Sequence, residues 1–319
     1  MSYGELIKDA FRITLRNRYL WFFGFFAGGT FGANIPSGGG GGSFNTDDFD
    51  LEQSGASSFG AQIPAGETAL IVGLVLLGLL LFLAFIILSL ISQGGLASSV
   101  YALDRGESRR FSSTWRGGTS SFWRVLGYYI VYFLIGLALF VVIVIPFALL
   151  IGGVFLLTES TGARVSVSIL GGLAGVLLMV VVFVALSIVA QFALREIVVR
   201  GERVIGSFGG GFRLFRANLG KSLLVWLIQI GLTIAAGIAL VLALLIIGLV
   251  LFLPTIILAT QEFATAAIVT GVVAGVILLP IIIVASAALG TFFHAYWTLA
   301  YLRISSPEDQ EVAQAAVAV

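Results

Sequence analysis

The chain has 319 residues, of which 17 are Lys or Arg and 16 are Asp or Glu, so charged residues make up only 10% and the formal net charge is +1. Soluble domains carry roughly 25% charged residues. With 59% hydrophobic residues and a mean hydropathy of +1.10, this chain has too little polar surface to clothe a soluble globule and reads as an integral membrane protein. The absence of cysteine excludes disulfides, thiolate metal sites and cysteine nucleophiles, and the single histidine, His294, excludes a histidine-rich metal centre. No metal site and no cofactor are expected.

Residues 1–18 read as a cytoplasmic interfacial helix. Ser2-Tyr3-Gly4-Glu5 has capping-box spacing, and Leu6, Ile7, Ala10, Phe11 and Thr14 recur at helical intervals opposite Lys8, Asp9, Arg12 and Arg16. Such a helix is expected to set its apolar side chains in the acyl boundary and its arginines among anionic headgroups. A helix needs about 20 apolar residues to cross the hydrocarbon layer. Residues 19–35 are fewer, and rich in aromatics and glycine, yet they read as the first of six spans. Residues 33–66 then form a flexible outer loop. Its five consecutive glycines, 38–42, are a linker and not a phosphate cradle, because no strand precedes them and no Lys-Ser/Thr follows. Asp47, Asp48, Asp50 and Glu52 miss the spacing of a calcium loop. Further spans are predicted at 69–93, 125–151, 165–194, 222–253 and 263–302. They complete a transmembrane domain of residues 19–303 with a cytoplasmic tail, 304–319.

The few charges give the orientation. With six crossings, every basic residue except Arg164 falls on one side, while Asp47, Asp48, Asp50, Glu52, Glu67, Glu159 and Glu262 fall on the other. The basic side is the cytoplasmic one, which places both termini in the cytoplasm of a cell-membrane protein. Without a crossing at 19–35, Lys8, Arg12, Arg16 and Arg18 would share the acidic side.

The inward segments also resemble one another. Phe11-Arg12-Ile13-Thr14-Leu15-Arg16-Asn17 precedes the first span, and Phe212-Arg213-Leu214-Phe215-Arg216-Ala217-Asn218 precedes the fifth. Trp115-Arg116, with Phe122-Trp123-Arg124 after it, stands before the third. Returning spans lead from Gln93 to Arg105-Gly106-Glu107 and from Gln191 to Arg200-Gly201-Glu202. Three helical hairpins, each introduced by a basic aromatic segment, are the simplest reading; convergence among basic inward loops is the alternative. Gly117-Gly118 and Gly209-Gly210-Gly211 are expected to weaken any helix there. Arg12, Arg16, Arg116, Arg213, Arg216 and Lys221 are the candidate contacts to lipid headgroups, unless these charges only enforce orientation.

Ionisable groups inside spans are the usual marks of transport or catalysis, and no Asp or Glu lies within the uncharged runs. Gln93, Gln191, Gln229 and His294 are the intramembrane polar candidates. Gln93, Gln191 and His294 stand at similar depth near inner helix ends, where they either converge on one site or make separate interhelical hydrogen bonds. His294, among Phe292, Phe293, Tyr296 and Trp297, reads more simply as part of an aromatic belt. Gly24 and Gly28, Gly28 and Gly32, Gly171 and Gly175, and Gly271 and Gly275 are four apart and predict close helix packing. Pro146 and Pro280 predict kinks in the third and sixth spans.

The segment Phe212-Arg213-Leu214-Phe215-Arg216-Ala217-Asn218-Leu219-Gly220 before a long apolar span, and the ending Tyr296-Trp297-Thr298-Leu299-Ala300-Tyr301-Leu302-Arg303, resemble the membrane domain attached to some glycerophosphodiester phosphodiesterases. Related stand-alone prokaryotic membrane proteins share the pattern. The resemblance implies a membrane module; the catalytic barrel of those enzymes, with its histidine and acidic metal ligands, has no counterpart here. The expected protein is therefore an all-α polytopic bundle of six transmembrane helices with basic interfacial helices. It is expected to be no enzyme, and to bind or sense anionic lipid or to scaffold a partner. A transporter or channel for a lipidic or weakly polar substrate, pivoting at Pro146 and Pro280, is the alternative. Membrane lipids are the expected partners, a protein partner or homo-oligomer remains open, and no nucleic acid is expected.

Overall fold

A computed structural model describes residues 2–28, 65–261 and 263–305. Among these residues the chain is entirely helical: α1 (Tyr3–Arg16), α2 (Leu20–Gly28), α3 (Ala65–Asp104), α4 (Phe111–Leu157), α5 (Thr161–Arg200), α6 (Val204–Ala217), α7 (Leu219–Thr260) and α8 (Ala264–Ile304). The first span as read from the sequence is described only as far as Gly28. The outer loop, with its glycine run and acidic cluster, lies outside the described residues apart from the two that open α3, as does the tail beyond Ser305.

Five helices, α3, α4, α5, α7 and α8, are long and apolar enough to cross a membrane. They run for 40 to 47 residues, roughly 60–70 Å, about twice the hydrocarbon thickness. Burial divides them along their length. From residue 70 to 84, α3 is exposed on every face, whereas from 90 to 100 it is buried almost all round. The same change occurs in α5, enclosed from 186 to 197, and in α8, enclosed from 294 to 301. At these ends α3, α5 and α8 touch one another and form a hub. A helix that is apolar all round needs neighbours all round to be buried, and the remaining elements supply them. The start of α4 packs on α3, α6 packs on α5, and α1 and α2 pack on α8.

Glycine sets the closeness of these contacts. A Cβ at Gly118 of α4 would stand 2.2 Å from the Ile91 carbonyl oxygen, and one at Gly211 of α6 would stand 2.9 Å from that of Val189. The helices run on through Gly117-Gly118 and Gly209 to Gly211, which the sequence expected to weaken them; at Gly118 and Gly211 a neighbouring backbone occupies the space a side chain would take, and packing there outweighs the helical penalty. Gly24 and Gly28 face Gly290 of α8, and Gly171 and Gly175 meet Leu150 and Phe147 of α4. The fourth pair is a correction. Gly271 meets Thr255 of α7, but Gly275 faces open space, because spacing alone does not say which side of a helix has a neighbour. The helices α4, α7 and α8 continue unbroken through Pro146, Pro254 and Pro280.

The first helix differs from its sequence reading in what covers it. Ser2 caps it through Glu5 N–H, at 3.5 Å, but Leu6, Ala10 and Thr14 are buried against protein, not turned to an acyl boundary. An amphipathic pattern marks a buried face without naming the neighbour, and here that neighbour is chiefly α8. An ion pair from Arg303 to Asp9 ties the two helices together.

Candidate functional site: a buried polar hub

The hub encloses a cation. The sequence reading ended the fourth span at Leu194 and counted Arg195 among cytoplasmic loop residues. Instead, Arg195-Glu196-Ile197-Val198-Val199-Arg200 continue α5 in register until Gly201, whose φ of 70° ends the helix. Arg195 is thereby drawn inside and is 1% exposed. Its Nη1 donates to the Gln191 carbonyl oxygen at 3.0 Å and to Gln191 Oε1, while its Nε is buried with no partner. Among the described residues Arg195 makes no ion pair; the adjacent carboxylate, Glu196, turns to Arg200 at 3.2 Å.

Polar side chains from two other helices gather round it. Tyr128 and Tyr129 of α4 and His294 of α8 lie near enough to feel its charge. Tyr129 donates to Gln93 Oε1 of α3, and Tyr128 donates to the Ala190 carbonyl oxygen at 2.9 Å while stacking on Phe208 of α6. His294 Nε2 lies 3.3 Å from the Ala27 carbonyl oxygen of α2. A carbonyl only accepts, so Nε2 carries the proton and Nδ1 is left with its lone pair, buried and without a partner. Neither reading holds for all three of Gln93, Gln191 and His294: Gln93 accepts an interhelical bond from Tyr129, Gln191 bonds Arg195 within α5, and His294 meets Ala27 of α2 while lying near Arg195. Gln229 is elsewhere, accepting from Trp297 Nε1 at 2.8 Å between α7 and α8.

The aromatic belt is a second correction. Tyr296, Trp297 and Tyr301 are fully or almost fully buried inside the hub, and Tyr296 donates to the Val225 carbonyl oxygen at 2.9 Å. Aromatic residues near a helix end fit a lipid interface or a protein core equally well in composition; here the polar tips of Tyr296 and Trp297 find partners on α7.

The candidate headgroup contacts lie on the outside of the same end. Arg12, Arg16, Arg116, Arg213 and Arg216 are exposed, and Lys221 is half-buried. The three segments share one pattern of burial. The fourth position of each is buried, at Thr14, Gly118 and Phe215, and the seventh turns at least partly inward, at Asn17, Ser121 and Asn218. The second, fifth and sixth positions are exposed in all three. Two of the segments end on the same device. Asn17 donates its backbone and side-chain N–H to the Ile13 carbonyl oxygen at 3.1 and 3.0 Å, and Asn218 does so to that of Leu214 at 3.1 and 3.5 Å. The middle segment has no such break and runs straight on into α4. The Arg-Gly-Glu likeness has a structural meaning as well, for Gly106 and Gly201 follow α3 and α5 with φ of 78° and 70°, left-handed positions that favour glycine.

Long apolar helices gathered round an enclosed polar hub define the chain as an all-helical, multi-pass membrane protein. It belongs to the family of unknown function DUF7544, which matches it over residues 19–308. No curated protein and no solved structure matches it.

Proposed function

We infer that the protein is a non-catalytic, six-span protein of the cell membrane, with both termini in the cytoplasm, that binds anionic lipid at its inner face. The observation carrying this reading is the shared exposure of Arg12 and Arg16, Arg116 and Arg124, and Arg213 and Arg216, each pair beside exposed apolar residues such as Phe11, Trp123 and Phe212. Cations flanking an apolar strip meet the headgroup layer and the acyl boundary together.

Depth supports the same reading. The part of α3 exposed on every face, residues 70–84, followed by partly exposed residues to 89, spans nearly 30 Å at 1.5 Å per residue, close to the hydrocarbon thickness. The hub and its arginines then lie at the inner headgroup level. The burial pattern common to the three basic segments favours a threefold repeat of interfacial segment, outward span and returning span. The resemblance to phosphodiesterase-type membrane domains suits this role as a membrane module, and none of their catalytic activity is carried over.

The test is native mass spectrometry of the protein extracted with its own lipids. Each basic residue near an anionic surface contributes about 1 kcal/mol, so changing Arg12, Arg16, Arg213 and Arg216 to Gln removes roughly 4 kcal/mol and should lower the number of co-purifying acidic phospholipid molecules. An unchanged number of bound acidic lipids in the four-residue variant refutes the reading.

A further inference from the structure

We propose that the hub is a second, internal anion site, in which Arg195 receives the phosphate of an anionic amphiphile. A buried guanidinium is ordinarily matched by a carboxylate, because an enclosed charge without a counter-ion is costly. Here the match is missing among the described residues. Arg195 holds only two oxygens of Gln191, on its own helix, and its Nε–H is enclosed with nothing to receive it. Gln191 Oε1 is a neutral stand-in for an acceptor, one turn away and able to swing aside. A phosphate oxygen is the stronger acceptor, and a phosphodiester offers two to the planar fork of guanidinium donors.

Three further features fit a phosphate-bearing amphiphile. Gln191, Tyr129 and Tyr132 are half-buried, so this edge of the hub reaches the surface. Arg195 is five residues from the end of α5, roughly 7–8 Å, at the headgroup level if the inner ends lie where the reading above sets them; the inference rests on that reading. Finally, His294 Nδ1 is a second enclosed atom without a partner, an acceptor for a hydroxyl carried by the ligand. The surface arginines are many and exposed, and so suit a shell of exchanging lipids. Arg195 is single and enclosed, and so suits one retained molecule.

The experiment measures thermal unfolding of the full chain in neutral detergent during titration with short-chain phosphatidylglycerol, with inorganic phosphate, and with short-chain phosphatidylcholine as control. Wild type should gain a saturable, one-site rise in Tm with phosphatidylglycerol and none with phosphatidylcholine. A matching rise with inorganic phosphate supports the site with a free oxyanion as ligand; a rise with the lipid alone supports a headgroup. Arg195→Met should melt no lower than wild type without ligand, because it no longer encloses an unmatched charge, and should lose the response. Arg195→Lys keeps the charge but not the fork and should bind at least tenfold more weakly, which keeps the test open if Arg195→Met folds poorly. The variant lacking Arg12, Arg16, Arg213 and Arg216 should keep the one-site response, so failure of the surface reading and failure of this one are told apart. An undiminished response in Arg195→Lys, or no saturable response of wild type to either anion, overturns the proposal.

Discussion

Gly290→Ala is the sharpest test of how α2 and α8 meet. A Cβ at 290 would stand 2.2 Å from the Gly24 carbonyl oxygen and 3.0 Å from the carbonyl carbons of Gly24 and Gly28. All three atoms are backbone, so no rotamer change relieves the overlap. The helices must separate by roughly 1 Å to restore ordinary contact, and a gap of that size forfeits about a quarter to a half of each dispersion contact it opens. It also stretches the hydrogen bond from Thr291 Oγ1 to the Leu20 carbonyl oxygen, now 3.1 Å, beyond useful length. Overpacking of this kind costs about 1–3 kcal/mol. Alanine recovers about 1 kcal/mol through helix propensity, leaving a net loss of roughly 0–2 kcal/mol against wild type and roughly 1–3 kcal/mol against an alanine that meets no neighbour. Gly73→Ala and Gly78→Ala in α3 isolate that propensity gain, since nothing lies within 4 Å of either position, and they should be neutral or stabilising. The assay is unfolding in mixed micelles of rising SDS fraction, followed by tryptophan fluorescence. A Gly290→Ala protein as stable as Gly73→Ala would show that the two backbones do not meet as described.

Trp297→Phe should remove the bond from Trp297 Nε1 to Gln229 Oε1 and lower stability by about 0.6 kcal/mol, with an upper bound near 1.7. The double variant Trp297→Phe/Gln229→Leu should recover part of that loss, because it strands no acceptor; full additivity of the two changes in a mutant cycle would deny the bond any role. Because the chain has no cysteine, topology is read by introducing one at a time. Cysteines at Ser57 and Ser306 should react with a membrane-impermeant thiol reagent from opposite faces, and reaction from the same face would refute the six-span arrangement.

What the sequence made legible follows from which patterns name a neighbour. Five long helices were plain, because an uncharged apolar run has few alternatives. The contact of Gly24 and Gly28 with Gly290 was legible as a close approach, though not its partner helix. Arg195 was missed because a charge after an apolar run looks like the start of a loop. The signal lay in the absence of any helix-stopping residue before Gly201, six positions later. Tyr296 and Trp297 were misread for a related reason: aromatic composition is the same at a lipid interface and in a core, and only the neighbours decide. The likeness of residues 11–17, 115–121 and 212–218 was visible in two of the three segments. It became a pattern in all three only when burial was compared, since Gly118 shares no chemistry with Thr14 or Phe215 and matches them solely by facing inward.

The uneven packing of the helices has a physical cause that bears on function. Inside a hydrocarbon layer an apolar side chain gains nothing from leaving lipid for protein, so association there depends on close backbone contact and polar bonds. Few of the outer glycines meet a backbone, and among the described residues the outer stretch of α3 is exposed on every face. Leu96, Val100, Phe192, Ile197, Tyr296 and Leu299 are all enclosed at the same end; on the proposed depth this is where the helices emerge toward water and the hydrophobic effect returns. The hub is therefore where buried side chains are concentrated, and it is there that Arg195 is enclosed. On the proposed depth, this densely packed hub lies at the inner headgroup layer and the exposed apolar stretches of the helices lie beyond it. For that reason the inner surface and the hub, more than any path between the outer helices, are where ligands should be sought.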